Sequence, residues 1–506
     1  MKILLIQPKK PTKTFGGDDF AMFEPLALGY LAAAVKDKHE VKILDLRIED
    51  KLQETIDSFK PDIIGITAYT VHVNMVNLMC EGIKKLDRGI VTMVGGHHAT
   101  VHHEDFITPY IDLIVTGEGS VPFEQAVQRV AEGKSFEGIA GAIYKDNGEL
   151  IINEAVSYDL DTLPMPDRSF TKQYRQHYAS EWMRPMASVR TSKGCPFSCS
   201  YCALWTLTGR RYLVREPEAI VAELRLVEEP CVFFADDESF IQVDRMMELA
   251  DAIEKSGVKK RYYLYVRADT TVRHPELLKR WKDVGLERVF VGLEFFKDAD
   301  LKAVSKGGSA EKNVKAVQII QDLGIDLFPA FIVRPDFDKQ DFKDLAKFCR
   351  DRKFDFVGFS VLTPLPGTAL HKEVADQMVL KNYDYYDFVH TLLPTKLPIK
   401  EFYKEYRKLF DTSRTFVKKF TFLTKYRLRD LPRLFAMAWR FNVLFAKLHR
   451  DYDDLDAVNA EQVKYGGMPT RKPLLQLRVA KVGQEKGRLP AALAQTEVSS
   501  VDGFGR

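Results

Sequence analysis

The chain has 506 residues, of which 45% are hydrophobic and 29% charged, so it can form two to four domains with ordinary apolar cores. Its 74 basic and 71 acidic residues leave a net charge of only +3, which shows no general bias towards nucleic acid. Six cysteines are too few for a disulfide scaffold, and no apolar run is long enough to span a membrane. The first residues, MKILLIQPKK, predict a strand and not a signal peptide, so we expect a reducing cytoplasm.

Five short apolar runs alternate with amphipathic stretches over residues 1–135. This alternation predicts an α/β domain with a doubly wound parallel sheet, which binds ligands beyond the carboxyl ends of its strands. Predicted helices cover 26–36, 73–85 and 121–131. The strand runs begin at Lys2, Glu40, Asp62, Ile90 and Asp112.

Small and polar residues follow three of these strands, and glycines among them would let the backbone approach a ligand closely. No GxGxxG follows the first strand, so a dinucleotide fingerprint is absent from the sequence. With PLALGYLAA from Pro25, VGGHHAT from Val94 and TGEG from Thr116, the region resembles the flavodoxin-like, cobalamin-binding domain that precedes many radical S-adenosylmethionine (SAM) enzymes. The resemblance implies cobalamin contacts by Thr67, Tyr69, Thr70, Gly95, Gly96, His97, Gly117, Glu118 and Gly119.

The sequence leaves the lower axial ligand of cobalt unassigned. Many cobalamin domains supply a histidine from a DxHxxG motif, but Asp37-Lys38-His39 lacks the glycine three residues later and lies in the wrong loop. By resemblance, residues 69–71 lie beneath the corrin. The alternative is a flavodoxin-like domain that binds another ligand or none.

Four histidines crowd the loop after the fourth strand. Histidine is the commonest metal ligand, but no cysteine or fixed carboxylate partner is evident in the sequence. We therefore favour loop and helix-start roles over a metal site. The four are His97, His98, His102 and His103.

Residues 136–185 are predicted to form a hairpin followed by a linker. Two strand-like runs flank Asp146-Asn147-Gly148, which is a strong signal for a tight hairpin turn. The prolines and polar residues that follow indicate a segment that wraps between domains.

Three cysteines with the spacing CxxxCxxC open the region 186–390, and they are Cys195, Cys199 and Cys202. Three thiolates suit an iron–sulfur cluster and leave one iron of a 4Fe–4S cube open. A structural zinc site needs four closed ligands, and no fourth Cys or His lies nearby in the sequence. The remaining cysteines lie singly in apolar patterns, as core residues do.

Six strand runs separated by five helical patterns make a partial (β/α)6 barrel of the TIM type, with its site at the carboxyl ends of the strands. With the cysteine motif, the region resembles the radical SAM enzymes that depend on cobalamin. The segment LTPLPGT from Leu362 resembles the last-strand signature of this family. The resemblance implies SAM contacts by Tyr201, Asp236, Asp237, Gly292 and Glu294. For each carboxylate, ordinary solvation at a strand end is the alternative.

A helical C-terminal extension is expected over 391–450, followed by an irregular, mobile tail at 451–506. Residues 410–450 hold ten Lys or Arg, two Asp and nine aromatic residues. Such a basic amphipathic helix can lie on an anionic membrane surface, or pack on the barrel with its charges solvated. RNA binding is disfavoured because no all-β RNA-binding module is visible.

The resemblance implies a radical methyltransferase with a 4Fe–4S cluster, SAM and cobalamin that methylates an unactivated carbon. The expected substrate is a lipid such as a hopanoid, with C-3 as the target. Expected partners are an electron donor such as flavodoxin or ferredoxin and, peripherally, the inner membrane, but no nucleic acid. Two alternatives stay open: an anaerobic cyclase of magnesium-protoporphyrin monomethyl ester, and a non-enzymatic cobalamin sensor.

Overall fold

A computed structural model describes residues 1–16, 18, 21–411, 439, 442–465 and 477–480. The first 153 residues form a doubly wound sheet in which five parallel strands have the order β3-β1-β4-β5-β6. The five predicted strands are confirmed, and helix α2 is an addition. The strands are β1 (Lys2–Gln7), β2 (Ala21–Met22, outside this sheet), β3 (Glu40–Asp45), β4 (Ile63–Thr67), β5 (Val91–Gly95), β6 (Leu113–Val115), β7 (Ala142–Asp146) and β8 (Glu149–Asn153), and the helices are α1 (Leu26–Val35), α2 (Leu52–Phe59), α3 (Val73–Leu86), α4 (His97–Val101) and α5 (Ser120–Ala131).

Both faces of this sheet are covered, which explains the near-continuous apolar strands. Alternate residues of β1 point to opposite sides, so Ile3 and Leu5 pack with α1 and α5, whereas Leu4 and Ile6 pack with α2, α3 and α4. The strand order reverses between β1 and β4, and this switch point opens a crevice at the carboxyl ends.

The predicted hairpin is confirmed, but it belongs to the first sheet and not to the connector. Strands β7 and β8 extend the sheet antiparallel to β6. Asn147 and Gly148 have φ values of 48° and 86°, the positive angles that a two-residue type I′ turn requires. Beyond the hairpin, β18 (Leu477–Ala480) adds a parallel strand against β8.

The connector carries a buried network of ion pairs between the first domain and the barrel. Its 3-10 helix Arg168–His177 places Arg168 between Glu24 and Glu223, with Nη2 2.7 Å from Oε1 of Glu223. Arg175 lies between Glu24 and Glu229 in the same way. The connector also forms β9 (Ala179–Ser180), which pairs with β2.

Six parallel strands in the order β10-β13-β14-β15-β16-β17 form an open half-barrel, as the sequence predicts. A short antiparallel pair, β11 and β12, flanks the cysteine loop. The strands are β10 (Met186–Val189), β11 (Ser192–Lys193), β12 (Leu213–Val214), β13 (Cys231–Phe234), β14 (Arg261–Val266), β15 (Leu286–Glu294), β16 (Asp326–Val333) and β17 (Gly358–Val361). The helices are α6 (Leu204–Thr208), α7 (Pro217–Leu226), α8 (Val243–Ser256), α9 (Ala268–Arg273), α10 (Pro275–Asp283), α11 (Asp298–Ala303), α12 (Ala310–Asp322), α13 (Lys339–Asp351) and α14 (Ala369–Val374).

The C-terminal extension begins as predicted with helix α15 (Ile399–Asp411), whose Tyr406 hydroxyl donates a 2.6 Å hydrogen bond to the carbonyl of Phe359 in β17. Most of the predicted basic amphipathic helix lies outside the described residues. Part of the expected tail is helical instead of irregular, as α16 (Leu455–Tyr465), which binds the segment at Asn382. Among the described residues, no helix combines the length and apolarity needed to cross a bilayer.

Candidate active site between the two sheets

The three predicted cluster cysteines lie on one loop that follows β11. Gly194 precedes the first of them with a φ of 97°, and a Cβ there would collide with the carbonyl of Arg211. The loop is anchored on both sides, because the Ser200 amide donates to Val304 (3.0 Å) and the Ser200 carbonyl accepts from Leu370 (2.9 Å). Backbone hydrogen bonds to two other segments of the barrel therefore hold this loop in place.

All six cysteines are free thiols, and burial raises the pKa of Cys195 to about 11 and that of Cys202 to about 12. Thiolates next to one another in such a place need a cation to neutralise them. Metal binding deprotonates thiols and supplies that positive charge. Three sulfur donors on one short loop fit an iron–sulfur cluster.

Two of the predicted SAM residues, Asp236 and Asp237, form hydrogen bonds with the segment that leads into the cluster loop. Asp236 accepts hydrogen bonds from Thr191 N (2.8 Å), Thr191 Oγ1 (2.6 Å) and Ser192 N (2.9 Å), so both its oxygens are engaged. Asp237 accepts a hydrogen bond at its Oδ2 atom from the Gly194 amide, at 2.7 Å. Asp236 therefore positions the loop, whereas Asp237 stays the predicted contact for the SAM amino group.

The other three predicted SAM residues come together at the end of β15. Glu294 has a φ of 61° at a break in the β15–β16 register, and its carboxylate folds back over Gly292, where a Cβ would collide with it. Lys306 Nζ lies 2.8 Å from both Glu294 Oε1 and the Gly292 carbonyl. Burial and the charge of Glu294 raise the pKa of Tyr201, which places this phenol beside the carboxylate. Sequence reasoning missed Lys306, because nothing in its local pattern indicates a partner.

Arg267 brings a positive charge to the cluster loop. Its guanidinium lies 3.7 Å from the ring centroid of Phe197, which stands between the first two cluster cysteines. Asp269 holds the arginine at 2.8 Å, and the Arg267 amide donates to Glu238 at 3.2 Å. Burial raises the pKa of Glu238 to about 8. A cation stacked on the loop favours the thiolate form of the cysteines.

The carboxyl ends of β4 and β5 form a glycine-lined cradle in the first domain. Gly96 has a φ of 102°, and a Cβ there would lie 2.6 Å from Thr67 Oγ1. Gly95 lies against the next strand end. Above the cradle, the Tyr69 ring is 55% exposed and its centroid is 5.9 Å from that of His97. Burial lowers the pKa of His97 to about 4, so its imidazole is neutral.

The end of β6 contacts the barrel directly. Glu118 Oε2 lies 2.9 Å from Lys193 Nζ and 3.3 Å from Arg190 Nη1, beside the cluster loop. The flanking Gly117 has a φ of 81° and donates to Thr100 at 3.0 Å, while Gly119 precedes α5. The carboxylate predicted to contact cobalamin is thus engaged with two cations of the other domain.

Two of the four clustered histidines share one carboxylate. His98 Nε2 lies 2.9 Å and His102 Nδ1 3.0 Å from Asp105 Oδ2, while His98 Nδ1 is 3.1 Å from Thr70 Oγ1. These groups lie close enough together to hold a metal ion as well. The preference for loop and helix-start roles therefore stays a prediction.

The two strand-end faces lie opposite each other. Helix α4 contacts α6, which follows the cysteine loop, and a Cβ on Gly367 would lie 3.1 Å from that of Val101. The exposed Tyr69 ring lies beside His97, the first residue of α4, which is the helix that makes this contact.

Beneath this space, the half-barrel has an aromatic floor. Tyr265, Phe290 and Phe328 stand in register on adjacent strands, with ring centroids 4.6 Å and 5.7 Å apart. Two residues nearer the carboxyl ends of the strands, Gly292 pairs with Ala330, and Ala330 pairs with Gly358 on the next strand. The Glu294 carboxylate and the Lys306 ammonium cover this row at Gly292, whereas Ala330 and Gly358 add no large or polar side chain above the rings. We call Tyr265, Phe290 and Phe328 the aromatic floor. We call Gly292, Ala330 and Gly358 the small-residue row.

A buried arginine closes the lower end of the lumen. The Arg288 guanidinium lies 4.4 Å from the Trp182 ring and 4.9 Å from that of Phe328. Glu181 and Asp326 neutralise it at 3.1 Å and 3.2 Å. Two carboxylates thus balance the charge of this arginine at the base of the lumen.

Comparisons with known proteins agree with this arrangement. The family model "B12 binding domain" matches residues 21–127, and "Radical SAM superfamily" matches 189–349. The hopanoid C-3 methylase of Methylococcus capsulatus is 30% identical over 88% of each chain. The chain belongs to the cobalamin-dependent radical SAM methyltransferases.

Other members of this methyltransferase family and related enzymes are more distant. The anaerobic magnesium-protoporphyrin IX monomethyl ester cyclase of Rubrivivax gelatinosus is 28% identical over 78% of this chain and 73% of its own. The radical SAM methyltransferase TsrM of Kitasatospora setae has a TM-score of 0.60 at 18% identity, over 74% of this chain and 78% of its own. The cobalamin-dependent enzyme OxsB has a TM-score of 0.64 at 16% identity, over 92% and 74%. These two structures share the fold.

As a member of this family, the methyltransferase uses a 4Fe–4S cluster, SAM and cobalamin. Its residues fit these groups, because the three thiols match iron and the exposed Tyr69 ring beside His97 offers an aromatic surface to a ligand. The assignment of single side chains to SAM or cobalamin stays a prediction.

Proposed function

We propose that this methyltransferase methylates an unactivated carbon of an apolar, fused-ring lipid, with C-3 of a hopanoid as the target. The observation that carries the substrate class is the aromatic floor beneath a row of glycine and alanine. A rigid ring system stacks on such a surface and excludes water. The likeness to a hopanoid C-3 methylase supports the choice of lipid.

The residues divide into three groups of roles. Cys195, Cys199 and Cys202 hold the cluster, and Asp237 and Glu294 hold SAM from two strand ends. When bound, these groups together with cobalamin supply a carbon-centred radical and a transferable methyl group. The protein itself provides orientation and a dry site between two packed domains.

Tyr69 and the backbone around Gly96, in the loops after β4 and β5, would hold cobalamin. When bound, cobalamin would supply the methyl group that is transferred to the substrate carbon. A one-electron donor such as flavodoxin or ferredoxin supplies the reductant, and a lipid substrate brings the enzyme to the inner membrane peripherally.

The test combines reconstitution and genetics. Purified enzyme with cluster, cobalamin, a low-potential reductant, methyl-labelled SAM and a desmethyl hopanoid in detergent should yield 5′-deoxyadenosine, S-adenosylhomocysteine and a labelled 3-methylhopanoid. Cys202→Ala is the matched inactive control. Deleting the gene in a producing host should abolish 3-methylhopanoids.

The products also separate the alternatives. 5′-Deoxyadenosine without S-adenosylhomocysteine would favour a cyclase-type reaction over methyl transfer. Both nucleoside products with an unlabelled hopanoid would refute the substrate but keep the methyltransferase. If SAM remains intact with every component present, an enzymatic role is refuted and a cobalamin sensor is favoured.

A further inference from the structure

Phe388 is an exposed aromatic residue in an otherwise buried segment. Phe388 is 49% exposed, whereas Asp387 and Val389 on either side are 9% and 8% exposed. Val389 packs into the outer core of the barrel, so the chain turns Phe388 away from that core. The segment thus buries its neighbours and leaves this one large ring uncovered.

The backbone of Phe388 is strained, with a φ of 64°. A left-handed conformation is unfavourable for a bulky side chain and is usually left to glycine, asparagine or aspartate. An exposed ring gains nothing from burial to offset that cost. Such strain persists only where the surroundings impose it, and it concentrates at ligand-binding sites.

The surroundings do impose it. The Asp387 carboxylate accepts hydrogen bonds from the amides of Phe15 (2.7 Å), Val389 (2.9 Å) and His390 (2.9 Å). The carbonyl of Phe388 accepts a 2.6 Å bond from the amide of Val361. The peptide groups on both sides of the ring are therefore fixed to the N-terminal loop and to the last barrel strand.

That last contact places Phe388 at the mouth of the barrel. Val361 is the carboxyl end of β17, the open edge of the half-barrel. Gly358, in the small-residue row, lies three residues earlier on the same strand, or about 10 Å. The backbone of Phe388 is thus held beside the carboxyl end of the last strand, at the open edge of the half-barrel.

We propose that Phe388 is a specificity-determining residue that contacts the ring body of the substrate at the open edge of the barrel. The substrate class rests on the proposed function, whereas the contact rests on the geometry of Phe388. Bound substrate covers the ring and removes apolar surface from water. The strained backbone keeps the ring in place for that contact.

The test compares Phe388→Gly, Phe388→Ala and Phe388→Leu in the reconstituted holoenzyme. Glycine accepts the left-handed backbone, so Phe388→Gly should melt no lower than Phe388→Ala, the reverse of the usual order of these two residues in loops. Both should raise KM for a desmethyl hopanoid about tenfold, more than they lower kcat, because one aromatic contact is lost. Phe388→Leu should restore most of the binding.

Lys353→Gly is the matched control. Lys353 also has a positive φ, 53°, but it precedes the opposite end of β17. Its replacement should leave KM unchanged. Direct binding of labelled hopanoid to each variant, measured by co-sedimentation, gives a readout that needs no turnover.

The outcomes separate the two proposals. If wild type methylates the hopanoid and Phe388→Gly binds it equally well, the role of Phe388 is refuted and the proposed function stands. If wild type binds without methylation, the proposed function fails and the binding comparison still tests Phe388. If wild type does neither, both proposals fall.

Discussion

The ion pairs of Glu118 are the most direct test of how the two domains hold together. Glu118 lies at the end of β6, and its partners Arg190 and Lys193 belong to the barrel. Replacing it with glutamine preserves its shape and removes its charge. Two partly buried cations then face a neutral amide, which should destabilise the interface.

The size of the effect follows from the pKa of this carboxyl. Burial alone would raise it, but the charges of Arg190 and Lys193 outweigh burial and lower it from 4.5 to about 2. At about 1.4 kcal/mol for each pH unit, this lowering corresponds to about 3 kcal/mol of stabilisation. The stabilisation is full above pH 4.5 and disappears as the pH falls through about 2.

The assay is urea unfolding of the cofactor-free chain at pH 7, followed by fluorescence. Glu118→Gln should lower the free energy of unfolding by about 2–4 kcal/mol. Glu124→Gln, an exposed glutamate on α5, is the control and should change it by less than about 0.5 kcal/mol. Unchanged stability with a weaker cobalamin affinity would refute the interface role and restore the cofactor contact that the sequence predicts.

Three further predictions concern the cluster, the substrate and the C-terminal segment. Cys199→Ala should lose iron and sulfide on reconstitution and form no 5′-deoxyadenosine, measured by metal analysis and mass spectrometry. Phe290→Ala should raise KM for the lipid about tenfold, and Phe290→Leu should restore most of it. Burial lowers the pKa of His390, but Asp387 and Asp451 raise it to about 9 from 6.5. The stabilisation that protonated His390 contributes is full below pH 6.5 and is lost as the pH rises through 9. The melting temperature of the wild type should therefore fall between these two pH values, whereas that of His390→Gln should not.

Local sequence patterns predicted most of the fold. Buried parallel strands give unbroken apolar runs, and helices between them give the 3.6-residue period, so all eleven principal strands of the two domains fall where these patterns predict. The hairpin turn was equally local, because Asn147 and Gly148 tolerate positive φ. The cysteine spacing likewise identified the cluster loop without any tertiary information.

Relations between distant segments could not be predicted this way. Asp236 and Asp237 follow a strand as SAM ligands would, but their partners at Thr191 and Gly194 become visible only when β10 and β13 pair. The aromatic floor depends on register across three strands, which no single segment encodes. Glu118 belongs to the TGEG motif of the first domain, but its side chain binds Arg190 and Lys193 of the barrel.

The buried ion pairs explain why the two domains form one catalytic unit. Glu118 joins them at the cluster loop, while Glu24 joins them through the connector arginines to Glu223 and Glu229. Buried pairs add little net stability compared with apolar contacts, but they penalise every other orientation, since each displacement leaves a charge unpaired. Attachment through several such pairs restricts rotation as well as translation. A radical generated at the barrel and a methyl group carried by the first domain must reach one carbon, so orientation is the property that this interface has to supply.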